Sequence, residues 1–301
     1  ISAELFCLLS RKFLHKKMSS EVEDNEWIAA AVSGDGKMQV QVRATSLCLR
    51  IIVENEIVDV DDDHKGEAEI FFAGSTSHLF FLKRKGVATL INGDTYRVLN
   101  AFDTSTSRFF EWGHSVGSRF AAICDDEGVR CVDLESFAVS HSIETKHGEI
   151  TGVCASADGK QIAVCNYGGM TSLPMTKQTL DTPGAYAVRF SPDGKSVVVL
   201  GEQVSVWDTE TGRLRYHLDD ADEDDIELEN IADVTFTDDN EHLVLLSIQH
   251  EGIYVFDADD GAFVDSFTLP ENLIHATLAP GGRYVTVLCD DHKPLVMSFD
   301  I

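Results

Sequence analysis

The segments VRFSPDGK at residues 188–195 and VSVWD at residues 204–208 decide how the rest of the chain is interpreted. An apolar run enters a Pro-Asp-Gly turn, and a second apolar run, 196–200, leaves it. Proline and glycine at these positions are typical of tight turns between strands. A third run ends in Trp207-Asp208, and a Thr-Gly turn leads into a fourth, 213–218. The pattern therefore predicts one antiparallel unit of four short strands.

The turn of this unit recurs along the chain with a mean spacing of 41 residues. Its copies begin at Ser33, Ser75, Ser115, Ser156, Ser191, Thr237 and Ala279. A period of about 40–45 residues with four strands in each repeat is typical of WD40 propellers. The SPDGK turn and the VWD ending resemble a blade of the WD40-repeat β-propeller family, and the repeat pattern covers residues 27–301. The resemblance implies an all-β fold, a seven-bladed WD40-like β-propeller of four-stranded antiparallel blades.

The repeats depart from the family pattern at the Trp-Asp dipeptide. Trp207-Asp208 is complete, whereas the equivalent positions hold Val132-Asp133, Phe256-Asp257 and Phe299-Asp300. The aspartate is retained, and valine or phenylalanine stands in place of tryptophan. We therefore expect the turn to persist in these blades without the full polar network of the family.

Residues 27–301 are predicted to form the propeller, and residues 1–26 an N-terminal extension. The seventh repeat stops at its third strand, 295–299, so the last blade lacks an outer strand. Propellers of this family commonly close the ring with an N-terminal strand, and closure leaves short, protected edges. The apolar run Ala3–Leu9 is therefore predicted to supply the missing strand. The alternative is a chain that starts at Met18 and keeps a three-stranded last blade with an exposed edge.

The composition restricts the classes of partner. The net charge of −27 repels phosphate backbones, which argues against direct binding of nucleic acid. It favours a basic partner surface, or it serves solubility alone. No apolar run approaches the roughly 18 residues of a membrane span. The seven cysteines lie mostly in apolar strand segments without CxxC spacing, which predicts reduced core residues of a cytoplasmic or nuclear protein.

Two common motifs for phosphate and metal binding are missing from the sequence. It contains no glycine-rich phosphate loop and no HExxH. The acidic segments do not match the ligand spacing of an EF-hand. We therefore predict no enzymatic activity, no cofactor, no metal and no small-molecule substrate.

The acidic residues are predicted to gather on one face of the ring. In a WD40-like blade, the loops between second and third strands share a face with the connections between blades. The opposite face carries Lys37, Lys160, Lys195 and Arg213 among its acids. Tyr167, beside two glycines, is predicted either to anchor a peptide on the acidic face or to cap the end of its sheet. The predicted partner-binding residues are Asp61, Asp62, Asp63, Asp125, Asp126, Glu127, Tyr167, Asp220, Asp222, Asp224, Asp225, Asp290 and Asp291.

The sequence thus favours a non-catalytic protein-interaction scaffold, a subunit of a larger eukaryotic complex, that binds a basic protein or peptide. The alternative is a propeller hydrolase with a metal-assisted carboxylate site in the central channel. The residues of the first strands discriminate between the two, because a catalytic propeller points His, Asp or Glu into its channel. An apolar inner layer, which argues against the hydrolase, is predicted from Val188, Phe190, Val234, Phe236 and Ala276.

Overall fold

The computed structural model describes residues 27–301 with the exception of short segments. These segments are 44–46, 52–55, 61–67, 73–78, 85–86, 96, 104–111, 114–118, 126–127, 145–149, 167, 219–227, 229–230, 250, 272 and 290–293. The described residues form β-strands and turns, and no helix occurs among them. A helix that could cross a membrane is accordingly not found in this part of the chain.

The strands of the first four sheets are, in chain order, β1 (Trp27–Val32), β2 (Met38–Arg43), β3 (Leu47–Ile51) and β4 (Glu56–Val60); β5 (Ala68–Phe72), β6 (Leu79–Arg84), β7 (Val87–Asn92) and β8 (Val98–Asp103); β9 (Trp112–Gly113), β10 (Phe120–Asp125), β11 (Gly128–Asp133) and β12 (Val139–Ile143); β13 (Ile150–Ala155), β14 (Ile162–Asn166), β15 (Met170–Leu173) and β16 (Gln178–Asp181). Those of the last three are β17 (Ala187–Phe190), β18 (Ser196–Leu200), β19 (Val204–Asp208) and β20 (Leu214–His217); β21 (Ile231–Phe236), β22 (His242–Ser247), β23 (Gly252–Asp257) and β24 (Phe263–Thr268); β25 (Leu273–Leu278), β26 (Tyr284–Cys289) and β27 (Leu295–Ser298).

Each sheet is a meander in which every strand pairs with its neighbours in the chain. All of these pairs are antiparallel, as β17 and β18 illustrate with Val188 opposite Val199. Six sheets have four strands, and the last sheet has three among the described residues. The unit that the sequence predicts around residues 188–218 therefore recurs along the chain.

Within the fifth sheet, burial is greatest in the second strand and falls towards the outer edge. The valine-rich strand β18 is buried along its whole length, because neighbouring sheets cover both of its faces. The outer strand β20 of the same sheet is largely exposed. β-branched residues suit such doubly covered strands, since they pack well on a pleated surface. The apolar core therefore lies between the sheets, in clusters that each join two neighbours.

The first strands of neighbouring sheets contact one another in chain order. β13 contacts β17, β17 contacts β21, and β21 contacts β25. Strand β1 contacts β5 on one side and both β25 and β26 on the other, so the last sheet packs against the first. The all-β propeller of four-stranded antiparallel blades is confirmed. The number of seven blades stays a prediction, and the assignment of residues 1–26 falls outside the described residues.

The cysteines that the structure describes are buried free thiols: Cys124, Cys131, Cys154, Cys165 and Cys289. Burial raises the pKa of the Cys154 thiol to about 11, so this group is neutral at physiological pH. A buried, neutral thiol behaves as a small apolar side chain. These cysteines serve as packing residues between the sheets.

Candidate functional site

The meander topology gives the ring two distinct faces. Because neighbouring strands are antiparallel, the hairpins between first and second strands share a face with those between third and fourth strands. We call this the hairpin face; it includes the turns at 33–37, 156–160, 191–195 and 237–241. The other face carries the links from second to third strands and from one sheet to the next. We call it the connector face.

The predicted partner-binding residues follow, in the sequence, strands that end on the connector face. Asp125 is the last residue of β10, with its backbone opposite Gly128. The other twelve residues lie outside the described part of the chain. They follow strands β4, β10, β14, β20 and β26, each of which ends on the connector face. That their side chains form one binding surface stays a prediction.

The hairpin face is held by a repeated side-chain network. Ser191 Oγ donates a hydrogen bond to Asp193 Oδ1 at 2.8 Å and accepts one from Ser196 N at 2.9 Å. Asp193 Oδ1 also accepts from Lys195 N at 3.0 Å. The same bonds recur in the turns that begin at Ser33 and Ser156, and threonine replaces serine at Thr237. The repeated Ser-x-Asp-Gly sequence is therefore a structural motif.

The lysines of the hairpin face are paired with carboxylates of their own turns. Lys160 Nζ lies 2.8 Å from Asp158, and Lys195 Nζ lies 3.1 Å from Asp193. Lys37 Nζ lies 3.7 Å from Asp35. Burial alone would raise the pKa of Asp193, but hydrogen bonds from Lys195 and Ser191 hold it below its ordinary value. The aspartates of these three turns are thus balanced by lysines of the same turns.

The aspartate of the Trp-Asp position supports the second hairpin of several sheets. Asp208 Oδ1 accepts hydrogen bonds from the backbone and hydroxyl groups of Thr211, both at 2.7 Å. Asp133 Oδ1 accepts from the backbone of Glu135 at 2.9 Å, although a valine precedes Asp133. Asp257, which follows a phenylalanine, accepts from the backbone of Asp259 at 2.7 Å. The turn persists in these sheets without the tryptophan, as the sequence predicts.

The first strands differ from the prediction of an apolar inner layer. The five residues on which that prediction rests lie in the clusters between neighbouring sheets: Val188, Phe190, Val234, Phe236 and Ala276. Side chains alternate between the two faces of a strand. Among the alternate residues of β17, β21 and β25, Arg189, Asp233, His275 and Thr277 are polar and keep part of their surface exposed, whereas Thr235 is buried. The prediction is therefore wrong for these three strands.

Two of the intervening residues form an ion pair between neighbouring first strands. Arg189 Nη2 of β17 lies 3.4 Å from Asp233 Oδ1 of β21. The two side chains keep 27% and 29% of their surface exposed. Burial raises the pKa of the Asp233 carboxyl group by more than the Arg189 charge and a hydrogen bond from Val234 N lower it. Tyr186 hydroxyl donates to Ile231 O at 2.7 Å beside this pair.

The adjoining first strand contributes a histidine. His275 Nε2 and Thr277 Oγ1 of β25 share a hydrogen bond of 2.9 Å. The first strands of three consecutive sheets therefore carry an arginine, an aspartate and a histidine. The signal for them was present in the alternation of each strand, since they occupy the positions between the apolar core residues.

One group of potential metal ligands occurs among the described residues, and it lies on the hairpin face. The ligand atoms of Asp239, Glu241 and His242 lie within 4.8 Å of one another. Asp239 Oδ1 already accepts hydrogen bonds from Thr237 Oγ1 at 2.6 Å and from Glu241 N at 3.0 Å. The carboxylate of Asp239 thus stabilises its turn, as Asp193 does in the preceding sheet.

Comparison with known proteins gives similarity in structure without similarity in sequence. No family model matches the chain. No curated protein matches it either. A chain of a crystal structure of the mitotic checkpoint complex is similar with a TM-score of 0.69 and 10% identity, covering 92% of this chain and 90% of that chain. KlHsv2, a Kluyveromyces protein with its loop 6CD replaced by a Gly-Ser linker, has a TM-score of 0.61 and 12% identity, covering 92% and 98%. Both are WD40-like propellers, and at these identities they show the fold alone.

Proposed function

We propose that this protein is a non-catalytic interaction scaffold, a subunit of a larger eukaryotic complex of the cytoplasm or nucleus. Its connector face binds a basic segment or surface of a partner protein. A structurally similar chain comes from the mitotic checkpoint complex, itself an assembly. The proposal takes from this neighbour only the general role of a subunit in a complex.

The observation that carries the proposal is the unequal balance of charge between the two faces. On the hairpin face, Asp35, Asp158 and Asp193 each have a lysine within 4 Å. The segments 61–63, 125–127, 219–225 and 290–291 contain many acids and no Lys or Arg, and they attach to strand ends of the connector face. A surface of one sign attracts a partner of the opposite sign and accelerates its association.

Binding of a fluorescently labelled lysine-rich peptide to the full chain tests the proposal. The test variant carries Asn at Asp220, Asp222, Asp224 and Asp225. The control removes the same number of negative charges from the exposed hairpins of the other face, at Glu210, Glu241, Asp259 and Asp260. We expect the test variant to bind about tenfold more weakly at low salt and the control to bind almost as wild type.

Equal weakening by the two variants would refute a specific acidic face, because it would show that net charge alone attracts the peptide. The same pair of variants then serves in affinity purification from cells. A subunit of a complex is expected to lose its partners in the test variant and to keep them in the control. Loss in both variants, or in neither, would contradict the proposed surface.

A further inference from the structure

Equivalent positions of the second strands meet at four boundaries between neighbouring sheets, those from the third sheet to the seventh, where the structure describes the side chains on both sides. One residue comes from the earlier sheet, and two residues come from the later sheet. Each of these groups is apolar and belongs to one buried cluster. The groups are Ala122 with Ile162 and Val164, Ala163 with Val197 and Val199, Val198 with Leu243 and Leu245, and Val244 with Val285 and Val287.

The boundary between the last sheet and the first has polar residues at the same positions. We call it the closing boundary; it is defined by Thr286 of β26 and by Gln39 and Gln41 of β2. All three are buried, with 2%, 2% and 3% of their surface exposed. Three apolar residues at each of the other four boundaries thus correspond to three polar residues here.

The closing boundary is packed in the same way as the others. A Cβ atom on Gly36 of the first sheet would overlap the ring of Tyr284 from the last sheet. In the same manner, a Cβ atom on Gly159 of the fourth sheet would overlap the ring of Phe120 from the third sheet. Tyr284 and Phe120 occupy equivalent positions, two residues before Thr286 and Ala122. The polar residues therefore face a closed interface.

The hydrogen bonds of these polar residues are incomplete. Gln41 Nε2 donates to Gln39 Oε1 at 2.7 Å. Gln39 Nε2 and Thr286 Oγ1 are both buried, and neither has a partner within the part of the chain that the structure describes. A buried polar group without a partner loses its hydration and gains no bond in return. Among the described residues, Gln161 Oε1 is also buried without a partner, and its side chain reaches Gly194 across the boundary between the fourth and fifth sheets. The closing boundary has two such groups and lacks the apolar contacts of that boundary, so we expect it to be the less stable of the two.

We propose that the ring opens reversibly at the closing boundary, where the first and last sheets separate while the other described boundaries stay packed. Local opening of a protein follows its least stable interfaces. The residues that favour opening thus belong to the first and last sheets. The proposed opening does not depend on the binding of a partner to the connector face.

Two alanines offer a matched test. Ala30 of β1 lies opposite Gln41 and faces the closing boundary, with 3% of its surface exposed. Ala276 of β25 lies opposite Val287 and faces the apolar boundary with the sixth sheet, with 5% exposed. The two positions are equivalent in their sheets. The thiols of the full-length variants Ala30→Cys and Ala276→Cys therefore report the opening of two different boundaries.

The rate of alkylation of each thiol is measured under native conditions, with peptide mass spectrometry separating it from the native cysteines. We expect the thiol of Ala30→Cys to react at least about tenfold faster than the thiol of Ala276→Cys. One unpaired buried group changes the equilibrium constant for opening by about tenfold. Equal rates, including complete protection of both thiols, would overturn the proposal, because opening would then be global or absent.

Substitutions at the two boundaries test whether the unpaired polar groups cause the opening. Thr286→Val in the Ala30→Cys background should slow alkylation about tenfold, because it removes an unpaired hydroxyl at nearly constant volume. Val244→Thr, at the equivalent position of the sixth sheet, should accelerate alkylation in the Ala276→Cys background. An unchanged rate in the Thr286→Val variant would overturn the proposal. If Val244→Thr does not fold, the alkylation rate of the Thr286→Val variant tests the proposal by itself.

Discussion

The ion pair between Arg189 and Asp233 contributes to the free energy of unfolding in a way that depends on pH. Substitution of Arg189 allows this contribution to be measured. The variant Arg189→Met retains much of the aliphatic volume and removes the charge 3.4 Å from Asp233 Oδ1. Removing one partner of a fully buried pair costs about 3–5 kcal/mol. Because more than a quarter of each side chain is exposed, we expect a smaller loss of about 1–2 kcal/mol in the free energy of unfolding near neutral pH.

The direction of the pH dependence follows from the raised pKa of Asp233. The folded state binds this proton more tightly than the unfolded state, whose carboxyl group titrates near 3.8. The contribution of Asp233 to stability therefore increases as the pH falls through its folded pKa. Loss of the Arg189 charge raises that pKa further. The destabilisation of Arg189→Met should consequently be largest at neutral pH and should shrink as the carboxyl group becomes protonated.

Urea denaturation of wild type and variant from about pH 8 to about pH 4.5 measures this difference. The variant Asp233→Asn supplies the control, because its side chain carries no charge at any pH. In the Asp233→Asn background, Arg189→Met should cost less than about 0.5 kcal/mol and should show no dependence on pH. A loss that is equal at both ends of the pH range, or equal in the two backgrounds, would refute the electrostatic explanation.

Two further predictions concern the hairpin face. Gly159 and Gly194 have φ angles of +68° and +72°, but a Cβ atom would lie 2.5 Å from the Phe120 ring at Gly159 and 3.9 Å from its nearest neighbour at Gly194. In thermal or urea unfolding, Gly194→Ala should cost about 1 kcal/mol from backbone strain, and Gly159→Ala about 2–4 kcal/mol; equal costs would contradict the overlap with Phe120. Burial by itself would raise the pKa of Asp158, but hydrogen bonds from Lys160 and Ser156 lower it to about 2. The contribution of this carboxylate to the free energy of unfolding is therefore complete above pH 3.8 and is lost as the pH falls through about 2. Asp158→Asn should therefore cost about 0.5–1 kcal/mol at neutral pH, screened by solvent because the side chain is half exposed, and nothing below about pH 2; a cost that persists in acid would indicate lost packing instead.

The sequence predicts the features of this fold that depend on local chemistry. The Ser-x-Asp-Gly turns are visible because serine, aspartate and glycine each have a specific role within five residues. Alternation within β17 likewise separates Val188 and Phe190 from Arg189. The pattern of one strand, however, does not tell which of its two sides faces a neighbouring sheet, and this is why the inner layer was predicted to be apolar.

The polar character of the closing boundary could not be predicted from the sequence, because it depends on contacts between the two ends of the chain. Gln39 and Gln41 alternate with valines in β2, which is typical of a strand with one side in solvent. Only the packing of β1 against β25 and β26 shows that the glutamines are buried.

The acidic connector loops can be assigned to a face from the sequence, but their structure cannot be predicted from it. Their positions in the sequence indicate one face of the ring, whereas their mutual arrangement depends on backbone conformations that acidic runs do not encode.

The outer edge of the last sheet carries the final prediction. Strand β27 is the third strand of its sheet, and Leu295 is 46% exposed, whereas Val204 and Val206 in the third strand of the fifth sheet are 3% and 0% exposed. The fourth strand of each complete sheet leads directly into the first strand of the next. Strand β1 contacts β25 and β26 of the last sheet, so a fourth strand of that sheet, if residues before β1 supplied it, would connect to β1 in the same order.

The apolar run Ala3–Leu9, which lies outside the described residues, remains our prediction for that fourth strand. A strand paired with β27 would protect its backbone amides from exchange and cover its exposed leucine. Hydrogen exchange is therefore compared between chains that begin at Ile1 and at Met18. Amides of residues 295–299 should exchange at least about tenfold faster in the shorter chain, while those of β18 should be unchanged. Equal protection of residues 295–299 in the two chains would show that the edge of β27 is covered by something other than Ala3–Leu9 or stays open.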